Sequence, residues 1–354
     1  MTKTAVVFSP IYFQHNPGAR HPESARRLHA IIRELQRSRS SANVDWEFIR
    51  PEKARTTDVQ LIHGTEYIKL VEAVCKSGGG LLDLQDTIAS PESYDVALYA
   101  VGGALKAVNL VMKGQYENAF ALVRPPGHHA GKFRGLGFCI FNNVAIAAQY
   151  LLREIKLKRV LILDIDAHHG NGTQEAFYDT DKVLYISLHE DPSSFPGTGF
   201  TDEIGEGEGL GYNVNIPLSF GTGDRVYLKA VQEIVAPIAR LYKPEFLLVS
   251  AGFDSHYSDP VGNLSLSATC YQQICNVIMD LVSKTCVGKL VAVLEGGYNP
   301  SIVGKLATAM ILRMSGTKHL LNDKAPRISR KTELDGLRIL KEVKKIQRAF
   351  WSIE

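Results

Sequence analysis

The chemistry of this 354-residue chain centres on three residues spaced two apart: Asp164, Asp166 and His168 follow the apolar run 160–163. Alternate side chains of an extended backbone share one face, so all three point the same way. An aspartate and a histidine held like this suit a divalent metal, zinc above all, through carboxylate oxygen and imidazole nitrogen. A second apolar run, 246–250, continues Ala251-Gly252-Phe253-Asp254, and Asp254 can supply a third ligand. The set Asp166, His168 and Asp254 leaves coordination positions open for water and substrate, as a catalytic zinc site requires. Were these residues only a polar strand end capping a helix, their desolvation would be a cost with no return. His256 could compete as a ligand, but its Ser, Tyr and Asp neighbours point to a surface loop.

Two other apolar runs end in reactive residues. The run 119–123 leads into Arg124-Pro125-Pro126-Gly127-His128-His129, where two prolines and a glycine fix the backbone that delivers two imidazoles. Opposite a metal they become candidates for proton transfer. Each needs a partner for its second ring nitrogen; Asp164 suits one and Asn171 the other. The run 290–294 ends Glu295-Gly296-Gly297-Tyr298. There the glycines allow close backbone approach, and the Tyr298 hydroxyl can donate to a developing oxyanion.

The elements that must hold these ends alternate along the chain. Strands are predicted at 4–9, 119–123, 160–164, 183–188, 212–216, 246–250 and 290–294. Helices are predicted at 22–36, 65–76, 91–113, 143–155, 224–241, 268–284 and 300–313. Most strands are apolar on both faces, as buried parallel strands are. The expected fold is therefore α/β, a single doubly wound, mostly parallel sheet flanked by helices. Ligands of such sheets bind beyond the carboxyl ends of the strands, where all four reactive segments lie. Loops are expected at Gly78-Gly79-Gly80 and 196–211. With no repeat and no Pro/Ser-rich linker, residues 1–315 read as one catalytic domain. Residues 316–354 form a basic tail with a surface helix at 333–350, packed on that domain or extending from it.

Composition narrows the partners and the setting. Forty Lys and Arg against 37 Asp and Glu leave +3, too little for a nucleic-acid field. Five cysteines, an odd number with no CxxC, argue against a disulfide framework and for a reduced, cytoplasmic setting. The N-terminus lacks a signal-peptide pattern, and no run approaches the roughly 18 apolar residues of a membrane span.

With these segments in view, the sequence resembles the zinc-dependent histone deacetylase family, in its class II and bacterial/archaeal branch. The resemblance rests on His21-Pro22-Glu23, Arg124 to His129, Gly137-Phe138-Cys139 through Asn143, and Asp164 to Thr173. It continues in Ser187-Leu188-His189, Phe195 to Gly199, Ser250 to Asp254, and Leu294 to Asn299, extending from about residue 15 to 314. It implies an arginase/deacetylase fold and hydrolysis of an N-acetyl amide. On the matching positions, Asp166, His168 and Asp254 would hold one zinc. His129 would serve as general base and acid, His128 as its electrostatic partner paired with Asp164, and Tyr298 would polarise the carbonyl. Phe138 and Phe195 resemble walls of an acyl-lysine tunnel and Gly137 its floor. Asp86 falls where class II relatives grip the substrate backbone, and Arg27 near an internal cavity. The family's potassium sites would map, largely through carbonyl oxygens, to Asp164, Asp166, His168, Ser187 and Leu188, and to Phe177, Thr180, Val183 and Tyr212. Asn171 and Glu295 stand where class I members have Asp and Gly, which points to class II.

Two other readings compete. An arginase-like binuclear manganese site needs further carboxylates at positions held here by Gly170 and Gly252. A non-catalytic acyl-lysine binding module would have lost Tyr298, a ligand or a histidine, yet all are present. Partners are then acetylated lysine in a protein or peptide, or a small N-acetylated amine such as an acetylpolyamine, with no direct nucleic acid and no membrane. Val261 stands where a polyamine-selective relative would place an acidic gatekeeper. That favours acetyl-lysine, although the acidic loop 202–208 could attract cations.

Overall fold

A computed structural model describes residues 3–39, 45–83, 85–286, 288–317 and 319–354. Ten strands are present among them. They are β1 (Thr4–Val7), β2 (Trp46–Ile49), β3 (Gly80–Leu81), β4 (Ile88–Ala89) and β5 (Asn118–Ala121), then β6 (Val160–Asp164), β7 (Val183–Glu190), β8 (Asn213–Leu218), β9 (Phe246–Ala251) and β10 (Leu290–Leu294). Eight form one sheet in the order β2-β1-β5-β10-β9-β6-β7-β8, and every pairing in it is parallel. β3 and β4 make a separate antiparallel hairpin. Strands β5 to β10 of the large sheet are buried on both faces, which explains why their sequences are apolar without alternation.

Helices cover this sheet. In chain order they are α1 (Arg26–Arg39), α2 (Thr56–Val59), α3 (Thr65–Lys76), α4 (Ser93–Met112), α5 (Asn143–Arg153), α6 (Asn171–Phe177), α7 (Asp224–Ala230), α8 (Ala236–Tyr242), α9 (Ala268–Thr285), α10 (Pro300–Met314) and α11 (Arg330–Gln347). α4 and α5 pack on each other and on β5 and β6; α1, α10, α9 and α8 pack in succession, with α10 against β1 and β5. α4 corrects one expectation, because its 20 residues are long and apolar enough for a membrane span. It is instead a core helix, with residues such as Val101, Ala104 and Val108 fully buried.

The predicted helix 224–241 is interrupted by a π-helical segment, Val231–Val235. Pro237, in the first turn of α8, has no N–H to donate, so the regular ladder cannot run through it. β2 escaped prediction because it is a short, half-exposed edge strand with Glu47 inside it. The tail helix begins at Arg330 rather than 333, since the Ser329 hydroxyl caps it by accepting from the Thr332 amide. α11 packs against β8 and α7, and the Trp351 Nε1 donates to the Gly211 carbonyl at 2.9 Å. The tail thus covers the edge strand β8, whose unpaired backbone would otherwise be open to solvent.

Candidate metal centre and catalytic pocket

Neighbouring strands β5, β10, β9 and β6 end side by side, which brings the four reactive segments to one place. The Asp166, His168 and Asp254 ligand atoms lie within 4.8 Å of one another. His168 Nδ1 is 3.3 Å from Asp166 Oδ1 and 3.2 Å from Asp254 Oδ2. The second oxygen of each carboxylate is held by backbone: Gly296 N donates to Asp166 Oδ2 and Ala167 N to Asp254 Oδ1, both at 2.8 Å. A Cβ on Gly252 would press into the Asp166 carboxylate, and one on Gly296 into both carboxylates. Burial, then the Asp166 charge, pushes the Asp254 carboxyl up to about 7. Two buried carboxylates facing one imidazole nitrogen are therefore mismatched without a cation between them. The donor set and its glycine cradle fit a divalent ion such as zinc.

The two histidines divide clearly. His128 Nδ1 donates to Asp164 Oδ2 at 3.0 Å, and the same oxygen accepts the Tyr185 hydroxyl at 3.1 Å. Burial opposes charge on His128, but Asp166 and Asp164 outweigh it and push its pKa up to about 10. A cation on Asp166 would cancel much of the first contribution and leave Asp164 as the durable partner. His129 Nδ1 donates to Asn171 Oδ1 at 2.9 Å, which leaves Nε2 as a free acceptor. Burial and the positive charges of His128 and His168 hold His129 well below the usual imidazole range. An amide partner adds no negative charge, so His129 stays neutral and able to take a proton.

On the far side of the pocket, Tyr298 is buried and edge-on to Phe138 at 5.6 Å, with the Arg27 guanidinium 4.9 Å from its ring centroid. Burial and the Asp254 and Asp166 charges raise its hydroxyl well above the ordinary range, so it remains a donor. Asp259 fixes its backbone: Oδ2 accepts from Tyr298 N at 2.6 Å and Asn299 N at 3.1 Å, and Oδ1 from Val261 N at 3.0 Å. Glu295 Oε2 accepts from Gly127 N and His128 N, tying the Tyr298 segment to the histidine loop.

The pocket walls gather as well. The Phe195 ring lies 4.9 Å from His129 and 5.8 Å from His168. Gly137 sits so close to the His129 ring that a Cβ there would meet it at 2.5 Å. Phe138 adopts φ +70°, an uncommon left-handed backbone for an aromatic, with its amide held by the Thr87 hydroxyl at 3.2 Å. Asp86 is exposed on the β3–β4 hairpin; its carbonyl meets His21 Nε2 at 3.2 Å, and His21 packs on Phe138 at 4.6 Å. Val261 is half-buried on the loop after Asp259. Of the positions compared with potassium sites, Asp164 pairs in register with Ser187, and Leu188 follows. The Ser187 hydroxyl is 2.8 Å from His189 Nδ1. Phe177, Thr180 and Val183 cluster at the other end of β7, where the Tyr212 carbonyl accepts from Tyr185 N.

His256 is a correction. It lies buried, not on a surface loop, with Nε2 2.8 Å from Asp323 and Nδ1 2.9 Å from Ser258. Asp323 also accepts from the Ala268 amide, so this histidine ties the tail to the start of α9. His169 likewise has other partners, Thr198 at Nδ1 and Gln174 at Nε2. Sequence reasoning missed Asp259 and a buried network around Glu23, whose Oε1 accepts from Arg124 Nε at 2.7 Å and Arg27 Nη1 at 3.1 Å. Burial alone would raise the Glu23 carboxyl, but Arg124 and His15 pull it well below the ordinary range. Arg27 in turn donates through Nε to the Gly297 carbonyl at 2.6 Å, beside Tyr298. Glu23 stands in the His21-Pro22-Glu23 motif, yet nothing in its spacing marks it as the counter-charge of two arginines.

The histone deacetylase domain matches residues 21–314. A probable deacetylase of Archaeoglobus fulgidus is 43% identical over 296 residues, covering 84% of this chain and 81% of the relative. A histone deacetylase-like amidohydrolase of Pseudomonas aeruginosa is 36% identical, covering 86% and 79%. The crystal structure of the HDA15 HD domain superposes with a TM-score of 0.89 at 36% identity, over 99% of this chain and 95% of that one. The likeness extends through the pocket segments to nearly the whole fold, and this chain belongs to the histone deacetylase family of deacetylases and amidohydrolases.

Proposed function

We propose that the protein is a zinc-dependent deacetylase of the class II type that hydrolyses N-acyl amides, acetyl-lysine in proteins or peptides first among them. The observation that carries this is the convergence of Asp166, His168 and Asp254 on one point, beside a neutral His129 and a protonated Tyr298. An ion held by the three ligands would supply Lewis-acid polarisation of the acyl carbonyl. His129 Nε2 takes a proton from the attacking water, with Asn171 fixing its tautomer. His128, paired with Asp164, holds positive charge close by and stabilises the negative charge that develops. Tyr298 donates to the carbonyl oxygen, and the departing amine takes its proton from the imidazolium of His129. Phe138, Phe195 and Gly137 wall an apolar passage for the acyl-lysine stem, with Asp86 and Val261 toward the rim. Structural potassium at Asp164, Asp166, His168, Ser187 and Leu188, and near Phe177, Thr180, Val183 and Tyr212, belongs to the same proposal. So does a cytoplasmic setting, in keeping with five free, buried thiols.

The acidic loop 202–208, with Asp202, Glu206 and Glu208 exposed, favours one second reading, an acetylpolyamine substrate. Measuring kcat/KM for a fluorogenic acetyl-lysine peptide and for acetylspermidine separates the two. The zinc-loaded protein should prefer the peptide, and Tyr298→Phe should lose about 10²–10³ in kcat, the usual loss of one oxyanion donor. A large polyamine preference overturns the substrate choice. Wild-type protein as inert as Tyr298→Phe on both overturns the deacetylase reading.

A further inference from the structure

β7 runs two residues past its predicted end, and the last is Glu190, 3% exposed. Its backbone amide donates to the Ala167 carbonyl at 2.8 Å, so it is tied to the segment between Asp166 and His168. Its side chain is held by one residue: Oε2 accepts from Asn263 N at 2.5 Å and Oε1 from Asn263 Nδ2 at 2.9 Å. Among the described residues no lysine or arginine forms an ion pair with it. Among the described residues, its one ionisable partner within 4.0 Å is His168, whose Nε2 lies 3.9 Å from Oε1. That is the nitrogen opposite Nδ1, which faces Asp166 and Asp254.

We propose that Glu190 is a positioning residue for His168, a carboxylate held by Asn263 3.9 Å from the imidazole nitrogen that does not face Asp166 and Asp254. The proposal rests on the metal site described above. When Nδ1 gives its lone pair to a cation, Nε2 carries the proton. A buried carboxylate 3.9 Å from that N–H, beyond direct hydrogen-bond distance, favours the Nε2-protonated tautomer through its charge and makes the ring a stronger donor, a longer-range form of the outer-shell arrangement that orients many metal-binding histidines. The clamp also reaches the opposite wall. Asn263 ends the loop whose Asp259 holds the Tyr298 amide, and a Cβ on Gly262 would press into the Asp254 carbonyl. Glu190 thus joins the loop that seats Tyr298 to the histidine of the metal site.

The test compares Glu190→Gln and Asn263→Ala with the wild type by zinc affinity from chelator competition and by the visible spectrum of the cobalt-loaded protein. The melting temperature of the metal-free protein reports folding. Glu190→Gln should bind zinc about 10–100-fold more weakly with a shifted cobalt band, the range found for lost outer-shell partners. Asn263→Ala removes the side-chain half of the clamp but keeps the backbone N–H to Oε2, so its zinc loss should be clearly smaller than that of Glu190→Gln; equal losses in the two would mean that Glu190 acts only by fixing the loop and would overturn the proposal. Should Glu190→Gln fail to fold, Glu190→Asp, which retains the charge at a longer reach, should show the same direction with a smaller loss. Unchanged zinc affinity in the folded Glu190 variant overturns the proposal and leaves the metal site standing. A wild type that binds no zinc overturns both.

Discussion

His63 is expected to make the protein lose stability in mild acid, by an amount that one substitution can isolate. Its Nδ1 donates to the Gly131 carbonyl at 2.8 Å, and its Nε2 accepts from the Asn142 amide, also at 2.8 Å. Asn142 caps α5 and reaches the Ala130 carbonyl at 3.2 Å, so this neutral ring supports the back of the His128-His129 loop. Burial lowers its pKa from 6.5 to about 4, against a small pull upward from Gly131. The folded pKa is the depressed one, so the unfolded chain binds the extra proton. The stabilisation is complete above about pH 6.5 and is lost as pH falls toward 4. Linkage gives a loss of about 1.8 kcal/mol between pH 7 and pH 5, out of about 3.4 kcal/mol in full. Glutamine can donate to Gly131 and accept from Asn142 but does not titrate. Urea unfolding of wild type and His63→Gln at both pH values should show wild type losing about 1.8 kcal/mol more than the variant. Contributions of His189 and every other group cancel in that double difference. Equal losses in the two proteins would refute a neutral, buried His63.

Two further outcomes test the frame around the pocket. Gly296→Ala puts a methyl group against the Asp166 and Asp254 carboxylates, so the protein should fold but bind zinc at least about tenfold more weakly in chelator competition. Glu23→Gln leaves Arg27 and Arg124 buried without their shared counter-charge and should lower unfolding stability by about 3–5 kcal/mol, measured by urea denaturation; a loss below about 1 kcal/mol would mean the network carries little.

Much of this site is legible because its ligands follow strands directly. Spacing two apart puts Asp164, Asp166 and His168 on one face, and β6 appears at its predicted bounds. The doubly wound sheet follows from apolar strands alternating with helices, and the convergence at strand ends follows from that sheet. What the chain alone could not determine is contact between residues far apart in sequence. Glu190 and Asn263 are 73 positions apart, Glu23 and Arg124 are 101, and Asp259 meets Tyr298 across 39. His256 was misplaced for the same reason, since its partner Asp323 lies 67 positions away in a tail that reads as surface. The sequence by itself determined the reactive residues and the strands that carry them, because those relations are local and periodic. The tertiary structure decided which imidazole meets a carboxylate and which an amide, and so which is charged, because burial and neighbouring charge exist only once the strands stand side by side.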